Sequence, residues 1–484
     1  MEVLTQINEW LWTPLVVVAL GFGLLLTFLT RCMQIRLLPT MIRQLARGEQ
    51  QSGEGISPFQ ALSLAMSSRV GVGNIAGVAT AIAAGGPGAL FWMAAMTFLG
   101  GATAFVESTL AQIFKRRIDG QFRGGMPYYI EKGLGLRKVA VGAAVVAALL
   151  YAVLAPGIQS NAISSSFDSA LGVDPLISAV VITVALAFII IGGRKRIVKF
   201  VQVIVPFMAG AYILAAVVVL AFNVTALPSA VGLVLSSAFG AHSVYGGILG
   251  AAIAWGVRRA LFSNVAGVGE GTYSAAAAQV SHPAKQGLVQ CLSVYIDTLF
   301  VCMATGLMII VTGAYNVEPA EGPALASNLP GTEAGPAYTQ AAMDSVSAGA
   351  GGPFVAVALA LFAFSTLVAF YYISETNLAY VLRRTPTAAT AVLKAALLTM
   401  TFWGAVQSAD LIWAIGDIGY ASLAWVNMLC LLLLTKPALR ALRDFDAQRR
   451  RGLDPTFDPA SIGLGNLDCW EPEAGHSSAA RSAR

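Results

Sequence analysis

The sequence predicts an all-α polytopic membrane protein of about 11 transmembrane helices, two of them broken at mid-depth. Three observations carry this. The 484 residues are 57% hydrophobic and 11% charged, where soluble domains are about 25% charged. The charges gather in short clusters between apolar stretches, each of roughly 18 residues or more and so long enough to span a bilayer. Two stretches are interrupted by glycines, at Val70-Gly71-Val72-Gly73-Asn74 and at Ser263-Asn264-Val265-Ala266-Gly267-Val268-Gly269-Glu270-Gly271. In hydrocarbon an unpaired amide or carbonyl is costly, so a helix unwinds only where protein or a wet cavity satisfies it. Paired breaks in two halves of a chain point to a mid-membrane binding site.

Eleven spans are read, at roughly 12–30, 58–82, 87–114, 138–166, 174–192, 197–222, 245–280 (broken), 287–313, 353–382, 387–408 and 410–435. The first opens on Glu2, Gln6, Asn8 and Glu9 with no small-residue cleavage site, so it is a retained helix rather than a signal peptide. Arg31, Arg36, Arg43, Arg47, Lys115-Arg116-Arg117, Arg194-Lys195-Arg196, Lys285, Arg383-Arg384 and Lys436 all fall on one side of this arrangement. The opposite loops, 83–86, 167–173, 223–244 and 314–352, hold no Lys or Arg, and Glu318, Glu321 and Glu333 lie there. Basic residues mark cytoplasmic loops. A multi-pass plasma (inner) membrane protein with its N-terminus outside and its C-terminus cytoplasmic is expected.

The breaks lie in the second and seventh spans, as expected of two five-helix halves repeated in inverted orientation. The chain then divides into 1–57 (first helix and basic loop), 58–222 (first repeat), 223–436 (second repeat) and 437–484 (cytoplasmic tail). From Arg440 onward the tail is charged and weakly apolar, and reads as a mobile extension.

Several function classes drop out. The net charge of +5 is shared among loops, which is no nucleic-acid footprint. Cys32, Cys291, Cys302, Cys430 and Cys469 form no CxxC, and no disulfide or zinc site is expected. There is no GxxxxGK[ST] for a nucleotide-driven pump, and His242, His282 and His476 form no HExxH, so no enzyme is indicated. A channel needs a continuous pore, whereas half-helices suit a site exposed alternately to each side. Oligomeric state leaves no sequence signal.

The candidate site follows from the breaks. Glycines let the chain leave helical geometry without a Cβ clash. Freed amides at the start of a half-helix suit a carboxylate, and freed carbonyls at the end of one suit a cation. Small residues also serve close helix packing, but the second break favours a binding role. There, Phe262 can wall off a small apolar side chain, and Ser263 and Asn264 can hydrogen-bond a polar head. Ser365-Thr366 are adjacent hydroxyls in an apolar run, fit ligands for a hard alkali cation, although such groups often bond their own helix. Arg69, Glu107, Glu270 and Asp297 fall inside spans, where charges need partners or water. Arg258 and Arg259 lie about a turn outside the second break. Arg69 is two residues, about 200°, around the helix from Ser67. It should face an acid, Glu270 first, with Glu107 and Asp297 as alternatives.

The runs VGVGNIAGVATAIAAGGPGALFWM (70–93), GGMPYYIEKGLG (124–135), GVRRALFSNVAGVGEG (256–271), HPAKQGL (282–288) and LFAFSTLVAFYYISE (361–375) resemble the alanine/glycine:cation symporters, also called sodium:alanine symporters. The resemblance covers nearly the whole chain, including Phe457-Asp458-Pro459 and a following tryptophan in the tail. It implies the leucine-transporter-like fold, a 5+5 inverted repeat plus one N-terminal helix. It also implies import of small neutral amino acids, alanine and/or glycine, by alternating access, with Na+ as coupling ion and no organic cofactor. A proton-coupled or glutamine/serine-selective carrier of the same fold, or a cation channel, are the alternatives. By resemblance Gly71, Gly73, Asn74, Gln159, Phe262, Ser263 and Asn264 meet the amino acid. Ser365 and Thr366, with backbone oxygens of Ser67 and Val70, form a sodium site. The chain departs from the family pattern at Val265, where many relatives have Glu, at Glu270, where they have Ser, and at Arg69, a position often small or polar. Arg69 would then supply fixed positive charge in place of a second sodium.

Overall fold

The computed structural model describes residues 1–46, 55–242, 244–319, 322–465 and 467–470; Arg47, Glu321 and His476 lie outside them. Helices fall on all eleven expected spans. The first is Glu2–Leu29, the third Gly88–Ile113, the fourth Arg137–Leu171, the sixth Gly193–Phe222, the eighth Pro283–Thr312, the ninth Gly351–Leu382, the tenth Thr387–Ala405 and the eleventh Ala409–Arg450. All of these are long and apolar enough to cross a membrane. The fifth, Pro175–Ile191, has 17 residues. The second consists of Pro58–Arg69 and Ala76–Gly85, and the seventh of Leu249–Asn264 and Gly271–Ala277.

Local chemistry explains both breaks. Ser57 and Gln60 cap the start of the second span reciprocally, with Pro58 at its first position. The helix ends at Val70, whose ψ of 90 leaves helical space, and a single tight turn over Val72–Asn74 precedes the second half. In the seventh span Val265 takes a left-handed φ of 49, and Gly267 and Gly269 have φ of +90 and +92. Side chains with a Cβ rarely adopt that conformation, so the alternating glycines are needed for the backbone path itself. Two π-helical segments, Leu150–Leu154 in the fourth span and Ile296–Cys302 in the eighth, carry Tyr151 and Asp297. Such bulges recur at functional sites.

The third and ninth spans lie deep in the bundle, while the fifth exposes Val181, Val184 and Phe188, as lipid contact requires. The first span packs on the eleventh, with Trp12 Nε1 donating to the Asp417 carbonyl at 3.1 Å and Trp425 Nε1 to the Leu11 carbonyl at 3.0 Å. Two of the loops expected on the outer side contain the helices Leu227–Ala238 and Pro336–Asp344. At the opposite end of the bundle Ile56 N–H donates to the Ala277 carbonyl at 3.1 Å, and Gln279 N–H to the Ile56 carbonyl at 3.0 Å. This short parallel bridge joins the start of the second span to the end of the seventh.

One expectation is corrected. The tail is not a mobile extension from Arg440: the eleventh helix runs to Arg450, and the described residues as far as Trp470 are seated on the loops that carry Lys115 and Lys285. Ala438, Ala441, Leu442 and Phe445 are buried at helical spacing, continuing the apolar stripe past Lys436. Further on, Phe457 N–H donates to the Ser281 carbonyl at 2.9 Å, Asp454 meets Lys285 at 2.9 Å, and Trp470 Nε1 donates to the Gln112 carbonyl at 2.9 Å. Phe457, Ile462 and Leu467 are buried. These few well-placed apolar groups are diluted in an average over a charged segment.

Candidate functional site

The two breaks touch at the centre of the bundle. A Cβ on Gly73 would lie 3.0 Å from Ser263 Cα and 3.2 Å from Phe262 Cδ1, and one on Gly71 would lie 2.6 Å from Thr366 Oγ1 and 3.1 Å from Gln159 Oε1. Close backbone approach is therefore the reason for both glycines. The amides freed by the first break are engaged by side-chain oxygens: Gly71 N–H donates to Asn74 Oδ1 at 2.8 Å, and Val72 N–H to Gln159 Oε1 at 3.3 Å. A carboxylate is the stronger acceptor for such amides, so an incoming one can displace the Gln159 oxygen.

Beside this turn lies a set of uncharged oxygens. Thr366 Oγ1 donates to the Ser67 carbonyl at 2.9 Å, and Ser365 Oγ approaches the same oxygen at 3.4 Å. Both hydroxyls also reach the Phe362 carbonyl of their own helix, at 3.1 and 2.9 Å. Ser67 closes the last turn of Pro58–Arg69, where the negative end of the helix dipole faces these groups. Converging hydroxyl and carbonyl oxygens fit a hard cation; the Met208 thioether, 3.9 Å from Ser365 Oγ, is a soft group that adds no ligand for one. Ser67, Ser365 and Thr366 are buried, as is Val70 at the helix end.

Asp297 stands between the breaks. Its Oδ1 accepts from Asn74 Nδ2 at 2.7 Å, and its Oδ2 accepts from Ser263 Oγ at 2.9 Å and Thr298 Oγ1 at 2.7 Å. Cys302 Sγ lies 3.2 Å from Asn74 Nδ2 and 3.3 Å from Ser263 Oγ. Asp297, expected in a charge network, thus also joins Asn74 of the first break to Ser263 of the second. Asn264 does not project beside Ser263: its Nδ2 turns to Thr97 and Thr298 at 3.2 and 3.4 Å, and its Oδ1 accepts Ala266 N–H at 3.0 Å, bracing the break. Glu107 serves the same loop, accepting Gly267 N–H at 3.2 Å and Asn427 Nδ2 at 3.0 Å.

The expected Arg69–Glu270 pair is not formed. Arg69 points away from the Ser67 side as anticipated, but Nε donates to the Asn264 carbonyl at 2.8 Å and Nη1 to Gln290 Oε1 at 2.8 Å and to Ser293 Oγ. Neutral oxygens on the eighth span and a carbonyl freed by the second break satisfy Nε and Nη1, while Glu107, Asp297 and Glu270 act on the guanidinium through charge without forming a salt bridge.

Outside the breaks, Arg258 and Arg259 converge on Asp417 at 2.5 and 3.3 Å. The Arg259 guanidinium lies 4.2 Å from the Trp413 ring centroid, and Phe262 packs on Trp413 and Tyr420 at 4.8 and 4.9 Å. This layer covers Phe262 on the side away from Ser263–Glu270. Sequence reasoning missed Asp417, although an aspartate within the apolar eleventh span is the same kind of signal that singled out Arg69. Gln290, Ser293 and Asn427 gave no such signal.

The family model described as the sodium:alanine symporter family matches residues 1–459. The chain is 52% identical over 479 residues to the putative sodium/proton-dependent alanine carrier protein YrbD of Bacillus subtilis (strain 168), with 99% of each chain covered. It is 47% identical to the sodium/proton-dependent alanine carrier protein of Bacillus sp. (strain PS3), over 89% of this chain and 97% of that one. To the probable sodium/glutamine symporter GlnT of Bacillus subtilis (strain 168) it is 39% identical, over 96% of this chain and 94% of that one. Broken helices around a buried polar centre and agreement along nearly the full length lead to one conclusion: the chain belongs to the sodium:alanine symporter family, and is a membrane transporter, not an enzyme.

Proposed function

We propose that the protein is a sodium-coupled symporter importing small neutral amino acids, alanine and/or glycine, across the plasma membrane by alternating access, with its N-terminus outside and its C-terminus cytoplasmic. The observation that carries this reading is the position of Gly71, pressed between Thr366 and Gln159. The sodium ion binds the Ser365 and Thr366 hydroxyls with the Ser67 and Val70 carbonyls. The amino-acid carboxylate takes the amides of the adjoining turn, Gly71 to Gly73, releasing Gln159. Its ammonium lies toward Asn74, Ser263 and Asp297, and Phe262 limits the side chain to a small one, with Asn264 bracing the loop behind. Both ligands order the same turn, so each raises the affinity of the other, and that coupling is reciprocal.

A second reading, proton coupling in addition to sodium, is supported by the names of the two alanine-carrier relatives. Glutamine as substrate is supported only by a more distant relative's name. Uptake of a labelled amino-acid panel into proteoliposomes, with sodium and proton gradients imposed separately, tests all of these. Saturable alanine uptake that follows the sodium gradient is the expected result. Sodium conductance without amino acid would instead indicate a channel.

A further inference from the structure

The second break holds a charge that neither the sodium site nor the amino-acid site uses. Glu270, immediately before Gly271–Ala277, is 1% exposed, and neither carboxylate oxygen is met by a well-aligned hydrogen bond; the hydroxyls of Ser68 and Tyr151 are its nearest polar neighbours. The other three buried acids are served: Glu107 Oε2 by a backbone amide and Asn427, Asp297 by Asn74, Ser263 and Thr298, and Asp417 by Arg258 and Arg259. Glu270 is faced by Ser68 and Arg69 from the second span, Tyr151 from the fourth, Asp297 from the eighth, Tyr420 from the eleventh and Tyr273 from its own helix. Ser68 Oγ donates to the Ala65 carbonyl at 3.0 Å, and the fully buried Tyr151 hydroxyl has Glu270 as its polar neighbour. Arg69 Nη2 is unpartnered and lies over Gly271, but forms no ion pair with Glu270.

An ionised carboxylate at mid-membrane with no salt bridge and only neutral hydroxyls beside it is costly. Adding a proton removes the charge and creates an O–H that the Tyr151 or Ser68 oxygen can accept. The location makes that proton exchangeable. Ser68 and Arg69 close the inner half-helix Pro58–Arg69, whose cytoplasmic end is tied to Ala277 and Gln279 by the Ile56 bridge. Displacing this half-helix uncovers Glu270 toward the cytoplasm.

We propose that Glu270 is a proton-binding site of the carrier, loaded from the outer side through the solute site and unloaded to the cytoplasm when the inner half-helix moves. One proton then accompanies each solute inward, leaving Glu270 as the carboxylate that is reloaded in the next cycle. This rests on the carrier reading above.

The test uses the full-length protein in proteoliposomes, with alanine as solute, equal sodium on both sides and an alkaline interior. One proton per alanine raises the accumulation ratio by about tenfold per unit of pH difference. Glu270→Gln, which keeps the shape of the protonated side chain, and Glu270→Ser should both lose this response, while whatever uptake remains still follows a sodium gradient. A pH-sensitive dye inside the vesicles should report alanine-driven acidification in the wild type and none in the variants. A response retained in either variant overturns the inference, as does sodium-driven alanine uptake in the wild type with neither a pH response nor acidification. Labelling of the wild type with a membrane-permeant carbodiimide, which attacks protonated carboxyls, decides the matter independently of the solute and of variant folding. Adducts at Glu270 that decline as pH rises are expected, and their absence at neutral pH overturns the proton site. If labelling succeeds while sodium-driven alanine uptake fails, the fault lies with the assigned solute or coupling ion.

Discussion

Asn74 donates its amide to Asp297 Oδ1 at 2.7 Å while its own Oδ1 accepts Gly71 N–H at 2.8 Å. One side chain therefore fastens the turn of the first break to the π segment of the eighth span, which in turn holds Ser263 of the second break. Asp297→Asn replaces an acceptor with a donor facing Asn74 or Ser263. A buried polar group left without its partner costs about 1–3 kcal/mol, so a lowered melting temperature and loss of alanine binding are expected. The exchange Asn74→Asp with Asp297→Asn restores a donor to each acceptor and should recover part of both. A double variant no better than the singles, by thermal shift and calorimetry, would remove this pair from the site.

Replacing Ser365 and Thr366 together by alanine removes two oxygens that converge on the Ser67 carbonyl. The sodium concentration for half-maximal uptake should rise about tenfold or more, and half-saturating alanine should rise with it, because coupling free energies of about 1–3 kcal/mol act in both directions. Unchanged sodium activation would end the assignment.

Gly73→Ala is expected to be enough to impair the carrier, without a large side chain. Its Cβ meets the Ser263 backbone rather than a flexible tip, so the breaks must separate. Overpacking of this kind costs about 1–3 kcal/mol. Gly73→Leu should be worse in stability as well as binding. Equal alanine affinity in wild type and Gly73→Ala would show that the approach of the two turns does not shape the pocket.

The seat of the tail should depend on pH through His282. Its Nδ1 accepts Ala284 N–H at 3.1 Å as the N-cap of the eighth span, and its Nε2 faces Asp444 at 3.3 Å, the arrangement of a neutral ring. Burial pushes its pKa from 6.5 down to about 4, against the pull of Asp444. The neutral ring therefore stabilises the seated state above the ordinary histidine value, and that contribution is lost as pH falls from 6.5 toward 4. Within that window the equilibrium shifts by up to about tenfold per pH unit. Proteolysis near Arg449–Arg451 should accelerate on acidification in the wild type and lose that dependence in His282→Gln.

The breaks and the Ser365-Thr366 pair were legible because each is local: glycine spacing or adjacent hydroxyls within an apolar run. The partner of Arg69 was not, because charge counting looks for acids, and Gln290 and Ser293 carry no charge to count. Asp297 was noticed as an intramembrane acid, and it does act on Arg69 through charge, but its contacts with Asn74 and Ser263 were not legible, since the sequence does not reveal the π segment that turns it between the breaks. Asn264 was legible as polar and near the site, but not as a brace, because its direction depends on the left-handed turn at Val265.

The bridge at Ile56 has a consequence for how the junction of the two broken spans tolerates change. Its two bonds join main-chain atoms, so the clasp answers to the peptide itself, with the buried side chains at 56 and 278 limited only by the space around them. Gln279→Pro deletes the N–H that reaches the Ile56 carbonyl and should loosen the half-helix Pro58–Arg69, visible as faster labelling of a cysteine placed at Ser68, whereas Ala278→Ser, which keeps both bonds and adds one small atom, should leave that labelling rate near its wild-type value. Chemistry that both spans share at this junction therefore sits in their main chain, where a change of side chain alone does not erase it.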